Sequence, residues 1–540
     1  MNLILDNDLN FTKVNHDLFK LSLRLEDSLN LILRKLLKHG KIEQSFYHNT
    51  YASGSSPGIL YGLPKIHKQN IPLRPILSAV NTHNYKLAKA LIPLVTPYTA
   101  NQFTVNNSYN FKEWLLSIDN AHELFMASFD ITSLYTNIPT IDAIDILINK
   151  IFAHQDIFHN LNKTEFKQLL VTATNDTYFI FNGQLYAQHN SLAMGSPMSA
   201  ILANIYLAHH EDRWLRECQT TYKPTYYKRY MDDTFLLFKD QAQVPLFLQY
   251  LNGQLPNIKF TEELENNKTL PFLDLLITKD INKINTGIFR KKTNTTLGLN
   301  FFSHIPNIYK INTIKIFLYR AYHLSSNFVN MHTEFEYLKK FFSNNAINTE
   351  TFHQIQNKFL NTVFHPKPEI LTTSKQILYL DIPYYEQLYY NLKKELMYTL
   401  NRCYPQLDVR LVFYNNFTIK RFCNHKEHVP DYLVSGIIYK FTCGDCNITY
   451  VGSSSRHLKA RVSEHRGVSY RTDLPLSNPP YSSIYDHCHK YKHNLDHNHF
   501  KIIHRNNQPD NLKILESLVI KYLKPVLNAD TGPHQLQIFL

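Results

Sequence analysis

Two adjacent aspartates, Asp232 and Asp233, stand between two aromatic, β-type runs in YKRYMDDTFLLF, residues 227–238. A break of that kind between strand-like runs reads as a hairpin turn. Neighbouring carboxylates repel each other, so a turn that holds them is either fully solvated or neutralised by a cation. A second run, ASFDITSLYTNIP at 127–139, places Asp130 after a similar stretch. Beside the hairpin, Asp130 would complete an oxygen-ligand site for a pair of divalent ions, Mg²⁺ or Mn²⁺. Two such ions ~4 Å apart activate a 3′-hydroxyl and stabilise a leaving pyrophosphate. For the dipeptide alone, a solvated turn is the simpler account.

The chain is long enough, at 540 residues, for about three or four domains. Its 44% hydrophobic and 19% charged composition excludes a disordered chain and allows large cores. Lys and Arg total 57 against 44 Asp and Glu, a net charge of +13 that favours a polyanionic partner. Six cysteines exclude a disulfide scaffold and fit a reducing compartment. Met1 to Asn10 carry Asp6 and Asp8 and no basic run, unlike a secretory signal or transit peptide. No stretch reaches ~18 uncharged apolar residues, so no membrane partner is expected.

Along the chain, 17–39 has Leu and Ile at helical spacing and predicts an amphipathic helix. YASGSSPG, 51–58, reads as a turn-rich break. Alternating helical and β-type patterns follow to about 278, and 305–365 reads as helical. HPKPE, 365–369, marks a boundary, because two prolines in three residues break elements. The expected organisation is an α+β multidomain chain: a helical segment 1–58, a first domain 59–278, a helical unit 279–365, a helical connector 366–430, a compact His- and Cys-rich unit 431–530, and a tail 531–540.

Joined in order, YGLPKIHK (61–68), PLRPI (72–76), FDITSLY (129–135), LAMGSPMSAILANIYL (192–207) and YMDD (230–233) resemble the fingers and palm of reverse transcriptases. The wording of these motifs, with TLPFLDLLI (269–277), resembles the Penelope-like retroelement polyproteins in particular. The resemblance covers about 59–530 and implies a right-hand polymerase of fingers, palm and helical thumb. It implies Asp130 and Asp232 as direct metal ligands, with Asp233 in support. Lys65 and Arg74 would bind the triphosphate, the arginine by its fork geometry. Tyr135 would gate against a ribose 2′-hydroxyl, and Gly195, Ser196 and Pro197 would shape the nucleotide pocket. Arg290, Lys291, Lys292 and Lys310 would grip template and primer phosphates. Taken singly, Tyr135 reads as a strand aromatic and the cations as surface charge.

Near the C-terminus, SGIIYKFTC (435–443) and TYVGSSSRHLKARVSEHRG (449–467) read as two tyrosine-bearing strands before a helix. Arg461 and His465 are four apart and share a helix face. ILESLVIKYLKPVLN, 514–528, places Glu516 on a further helix. This set resembles the GIY-YIG nuclease module, with Ile438 and Val451 as conservative departures. The resemblance implies Tyr439 and Tyr450 near the nucleophile, Arg461 at the scissile phosphate, His465 in acid–base work, Glu516 holding Mg²⁺ and Asn528 closing the site. Cys443-x2-Cys446 lies between the signatures, and His487 and His493 follow. Two thiolates and two imidazoles suit Zn²⁺, although Cys488 and His489 leave the histidine pair open. Cys423, His425 and His428 read as unmetallated, and Cys218 and Cys403 as core thiols.

The implied activity is RNA-directed DNA synthesis coupled to nicking of target DNA, which would supply the 3′-hydroxyl primer. Template RNA, DNA primer, target DNA and deoxynucleotide triphosphates are the implied partners, and the nucleus the implied place of action. Rival readings are a decayed or domesticated nucleic-acid-binding protein and a telomerase-like terminal extender.

Overall fold

The computed structural model describes residues 5, 10–66, 70–366, 376–384, 386–415, 427–506 and 508–528. Cys423, His425, the tail 531–540 and part of the HPKPE boundary lie outside the described residues.

A short strand β1 (Phe11–Lys13) leads into helix α1 (Leu18–Lys38), capped where the Asp17 side chain accepts from the Lys20 amide at 2.8 Å. The apolar periodicity of α1 serves two neighbours. Leu29, Leu33 and Leu36 enter the largest core, while Phe19 packs with Leu433 and Ala460 of the C-terminal unit. Next come β2 (Gly58–Pro64) and β3 (Leu73–Ser78), then β4 (Phe125–Ile131) and the single helical turn α2 (Leu134–Asn137). Strands β5 (Thr177–Phe181) and β6 (Gln184–Gln188) complete a sheet ordered β1-β6-β5-β2-β3.

Helix α3 (Ser199–Glu217) precedes the hairpin β7 (Tyr226–Tyr230) and β8 (Asp233–Phe238). With β9 (Phe260–Leu264) they form a second sheet, β9-β4-β8-β7, backed by Phe129, Leu236 and Phe238 in the largest core. Strands β10 (Thr269–Phe272), β11 (Leu275–Lys279) and β12 (Ile284–Ile288) make a third sheet. The register pairs Lys279 with Ile284, so this sheet continues past the boundary expected at 278. The chain to this point is built of mixed helices and sheets. Helices α4 (Asn307–Leu324), α5 (Phe328–Asn344) and α6 (Thr349–Phe364) follow as a bundle around Leu318, Leu338, Phe342 and Phe352.

The connector differs from its helical expectation. Strand β13 (Gln376–Pro383), helix α7 (Glu386–Cys403) and strand β14 (Leu407–Tyr414) form a parallel β-α-β unit. The run LDVRLVFY is β-branched and aromatic, which favours a strand. It rests on the helical bundle, where the Phe413 amide donates to the Tyr309 hydroxyl at 3.0 Å. Cys403, expected in a core, is exposed at the end of α7, while Cys218 is buried.

The C-terminal unit holds β15 (Ile437–Thr442), β16 (Thr449–Ser454), α8 (Leu458–His465), α9 (Ser483–Tyr491), β17 (Phe500–Arg505) and α10 (Pro509–Leu523). Its sheet is ordered β16-β15-β17.

The segment 51–58, expected as a break, is largely buried between two units. Asn30 brackets Ala52 through two hydrogen bonds, of 2.8 and 3.0 Å. The Glu26 carboxylate accepts from the Ser55 amide at 2.5 Å. From the C-terminal unit, Ser435 Oγ donates to the Gly54 carbonyl at 2.6 Å, and His457 Nε2 lies 2.6 Å from the Ser55 carbonyl. Arg471 forks onto Asp27 at 2.5 and 3.0 Å. Small residues allow this approach. Gly54 has φ +67°, and a Cβ there would sit 2.3 Å from Ser435 Cβ. We expect Gly54→Ala to part the C-terminal unit from α1 without unfolding either. Limited proteolysis should then release residues beyond about 427 as a folded fragment; a resistance equal to wild type would refute the tight seam.

Candidate active sites

The register of β4 and β8 sets Asp130 opposite Asp233, and Asp233 pairs on its other side with Tyr230. Only Met231 and Asp232 form the turn, with Met231 in the left-handed region at φ +53°. The Ile131 amide donates to the Asp232 carbonyl at 3.1 Å and ties the turn back to β4. All three aspartates therefore collect at one sheet end. Burial raises the Asp232 carboxyl above the usual range and the Asp130 charge adds to it, while Arg74 and Lys65 oppose the shift. A buried carboxylate beside a second one suits divalent cations, which would offset both burial and repulsion.

A residue pair that the sequence reading passed over holds this turn. Arg229, with no exposed surface, donates from Nη1 to the Met231 carbonyl at 3.0 Å. Its Nε and Nη2 both bind the buried Glu211 of α3. Glu211 also accepts from Tyr227 Oη at 2.8 Å and Asn101 Nδ2 at 3.2 Å. The buried charges are thus paired and hydrogen-bonded, the condition under which burial is tolerated. An arginine beside an aspartate pair in sequence reads as surface charge; only the α3–β7 packing makes it interior.

Of the other residues expected at this site, Lys65, Arg74 and Tyr135 interact electrostatically with Asp232. Lys65 follows β2, and its amide donates to the Pro72 carbonyl at 2.9 Å. Arg74 is exposed on β3, opposite Leu63. Gly195 has φ +125°, and a Cβ there would lie 2.0 Å from the Leu77 carbonyl oxygen. The Leu77 amide donates to the Met194 carbonyl at 2.8 Å, so the Gly195 loop is laid directly on β3. Ser196 and Pro197 then lead into α3, the Ser196 amide donating to the Ala193 carbonyl at 3.1 Å. Tyr135, read alone as a strand aromatic, lies on the α2 turn, because Ser133 adopts φ +52° and ends β4. Its carbonyl accepts from the Leu192 amide at 2.9 Å. Burial raises the Tyr135 phenol, and the Asp232 charge adds to the shift.

The four cations expected to grip nucleic acid divide. Lys291 and Lys292 are exposed. Arg290 Nη1 binds Glu334 at 2.7 Å, and its guanidinium stacks 3.5 Å from the Tyr337 ring centroid. Lys310 is corrected: it is buried, and its Nζ donates to the Phe301 carbonyl at 2.6 Å. Its ammonium supports the loop before α4 rather than a phosphate.

In the C-terminal unit, Tyr439 on β15 is fully buried. Its Oη lies 2.7 Å from His465 Nε2 and accepts from Arg461 Nε at 3.1 Å. Gly452, opposite Tyr439 in the register, makes room, since a Cβ there would lie 2.5 Å from that oxygen. His465 Nδ1 lies 2.6 Å from Ser482 Oγ. With the imidazole proton on Nδ1, the phenol donates to Nε2 while it accepts from Arg461. Burial raises the Tyr439 phenol, and lowers His465 to about 3, aided by the Arg461 charge. The acid–base role expected for His465 is therefore recast. Both its nitrogens are engaged inside the protein, and its contact with the cleft runs through Tyr439. Arg461 is oriented by Glu464, which accepts from Nη1 at 2.9 Å. Glu516 on α10 accepts from the Ser453 amide at 3.0 Å and its hydroxyl at 2.7 Å. Asn528 bonds both the amide and the carbonyl of Val451, at 2.9 and 2.8 Å. Tyr450, Arg461 and Glu516 keep partial exposure and form the open side of the group.

Cys443, Cys446, His487 and His493 bring one ligand atom each within 4.8 Å of the others. Cys443 Sγ lies 3.3 Å from His493 Nδ1, Cys446 Sγ 3.4 Å from His487 Nε2, and the two imidazole nitrogens 3.2 Å apart. Edges of roughly 3.3–3.8 Å are required by a tetrahedron with metal–nitrogen and metal–sulfur bonds near ~2.05 and ~2.3 Å. The donor set is one that Zn²⁺ takes; these three separations lie near such edges, and the group as a whole spreads to 4.8 Å. His489, the open alternative, stacks on Tyr485 instead.

Two measurements test these networks. Arg229→Met should cost about 3–5 kcal/mol in urea unfolding, because Glu211 is left buried and charged. Adding Glu211→Met should restore most of that stability while the Met231 carbonyl still lacks its donor. The His465 Cε1–H resonance should stay flat from pH 8 to pH 5 while exposed histidines titrate. Its lowered folded pKa means the unfolded chain takes up that proton first. Stability from this site is then full above about 6.5 and falls as pH drops towards about 3.

Residues 66–301 match the reverse transcriptase (RNA-dependent DNA polymerase) family, and residues 297–346, which include α4 and α5, match the animal helix-turn-helix domain. No curated protein matches the sequence. Among solved structures, telomerase from Candida albicans in complex with a telomeric RNA fragment matches with 11% identity, a TM-score of 0.41 and 59% of this chain covered. The chain spans 61% of that telomerase. The Sicinivirus 3Dpol RNA-dependent RNA polymerase matches with 12% identity and a TM-score of 0.37, over 59% of this chain and 71% of its own. The chain thus carries a reverse transcriptase domain, and Asp130, Asp232 and Asp233 stand at the sheet end within it.

Proposed function

We propose that the chain is the replication enzyme of a Penelope-like retroelement. Its polymerase copies element RNA into DNA, and a GIY-YIG endonuclease nicks target DNA to supply the primer. The observation that carries the reading is the gathering of Asp130, Asp232 and Asp233 at one sheet end, where the charges of Arg74 and Lys65 act on Asp232.

Asp130, Asp232 and Asp233 would hold Mg²⁺ or Mn²⁺, which supplies charge neutralisation at the attacking and leaving oxygens. The protein's own part is placement. The Arg74 fork and Lys65 bind the triphosphate. The Gly195 loop, laid against Leu77, sets the floor of the nucleotide pocket. Tyr135 stands beside the Asp232 carboxylate, where a ribose 2′-hydroxyl would meet its ring. Lys291 and Lys292 offer sequence-independent phosphate contacts to template and primer.

In the C-terminal unit, Arg461 would meet the scissile phosphate, held in aim by Glu464 and Tyr439. Tyr450 would orient the attacking water, and Glu516 would hold a single Mg²⁺. The phenol of Tyr439, kept neutral by burial, orients rather than deprotonates. Synthesis primed on target DNA implies action in the nucleus.

Primer extension on an RNA template and nicking of plasmid DNA test the two sites separately. Asp232→Ala should abolish synthesis and leave nicking intact. Arg461→Ala should cut nicking by about 10²–10³-fold, the usual cost of losing one transition-state donor, and leave synthesis intact. If each folded variant lost both activities, separable sites would be refuted.

A further inference from the structure

We infer that Ser482 is a positioning residue that couples the Cys443–Cys446–His487–His493 metal group to Tyr439 and Arg461; the inference rests on the nuclease reading of that centre.

One helix joins the two. Ser482 caps the N-terminus of α9, where its buried Oγ accepts from the Tyr485 amide at 3.2 Å and lies 2.6 Å from His465 Nδ1. His487 lies five residues further, about 7–8 Å along the same helix axis, and faces Cys446. Lys492 ends α9 in the left-handed region at φ +53°, and the His493 amide then donates to the Cys488 carbonyl at 2.9 Å. That reversal returns His493 towards Cys443.

A second path runs through β15. Tyr439, Phe441 and Cys443 alternate along the chain and join one core cluster with Ile484, Cys488 and Phe500. Metal bound to the four ligands would therefore close a circuit: Cys443, β15, Tyr439, His465, Ser482, α9, His487. A free-standing nucleic-acid finger would carry its own small core. Here Cys443 has no exposed surface and belongs to the core that holds Tyr439, and His487 is 6% exposed. The metal group thus acts as a clasp on α9, and Ser482 passes its position to His465, the phenol and the guanidinium.

Hydrogen–deuterium exchange on the full chain tests this, with zinc removed by a chelator and magnesium then restored. Zinc removal should raise exchange at least tenfold in α8, residues 458–465, as well as in 443–449 and α9, and added zinc should reverse it. Ser482→Ala should keep one zinc per chain and a protected α9, yet show α8 exchanging at the zinc-free rate. Ser482→Thr, which keeps the hydroxyl and the cap, should restore protection. Changes confined to 443–449 and α9, an α8 in Ser482→Ala equal to wild type, or a chain that binds no zinc would each overturn the inference. Loss of α9 protection in Ser482→Ala would overturn it too, since the serine would then be only a cap. A chain that holds zinc and shows the coupling but never nicks DNA would overturn the nuclease reading instead.

Discussion

The ion pair between Arg229 and Glu211 is the constraint on which the three-aspartate sheet end depends. A carboxylate in a two-residue turn, with two more on the adjoining strands β8 and β4, would splay away from them if only solvent held it. Arg229 joins α3 to the Met231 carbonyl from inside the protein, so the turn keeps its left-handed residue and its aim. The pair is costly to bury. It is retained where Tyr227 and Asn101 satisfy the remaining carboxylate lone pairs. The same helix α3 begins at the Gly195 loop, whose missing Cβ lets it lie on β3. One helix thus links the Gly195 loop, the ion pair and the carboxylate turn.

A comparable economy governs the join between the two halves. Helix α1 has two apolar faces, one for the polymerase core and one for Leu433 and Ala460. The segment 51–58 fills the remaining seam with small residues and offers its backbone carbonyls to Ser435 and His457. The seam thus ties the C-terminal unit to α1 through backbone carbonyls as well as apolar contacts.

Much of the candidate chemistry was legible in the residues. Asp130, Asp232 and Asp233 carry a strand–turn signature that depends only on local alternation. Cys443-x2-Cys446 is a turn motif, and the i, i+4 spacing of Arg461 and His465 places them on one helix face. Other readings failed where burial decided them. Lys310 reads as a phosphate ligand because lysine is normally exposed, yet its stem lies in the bundle and its ammonium caps a loop. The glycine- and serine-rich 51–58 reads as a linker because turn residues also suit tight packing. The connector reads as helical because α7 dominates its length, while β13 and β14 pair across it.

By itself the sequence determined the ligand types and the local motifs that carry them, because periodicity, turn chemistry and donor identity are local properties. It also determined that carboxylates, thiols and imidazoles were present at spacings that metals accept. Tertiary structure alone decided which charges are interior, since Arg229 and Glu211 are eighteen residues apart and become partners only through helix-on-sheet packing. It also decided that His465, expected in acid–base work, is buried with both ring nitrogens engaged inside the protein, because desolvation depends on every neighbour and is written in no single motif.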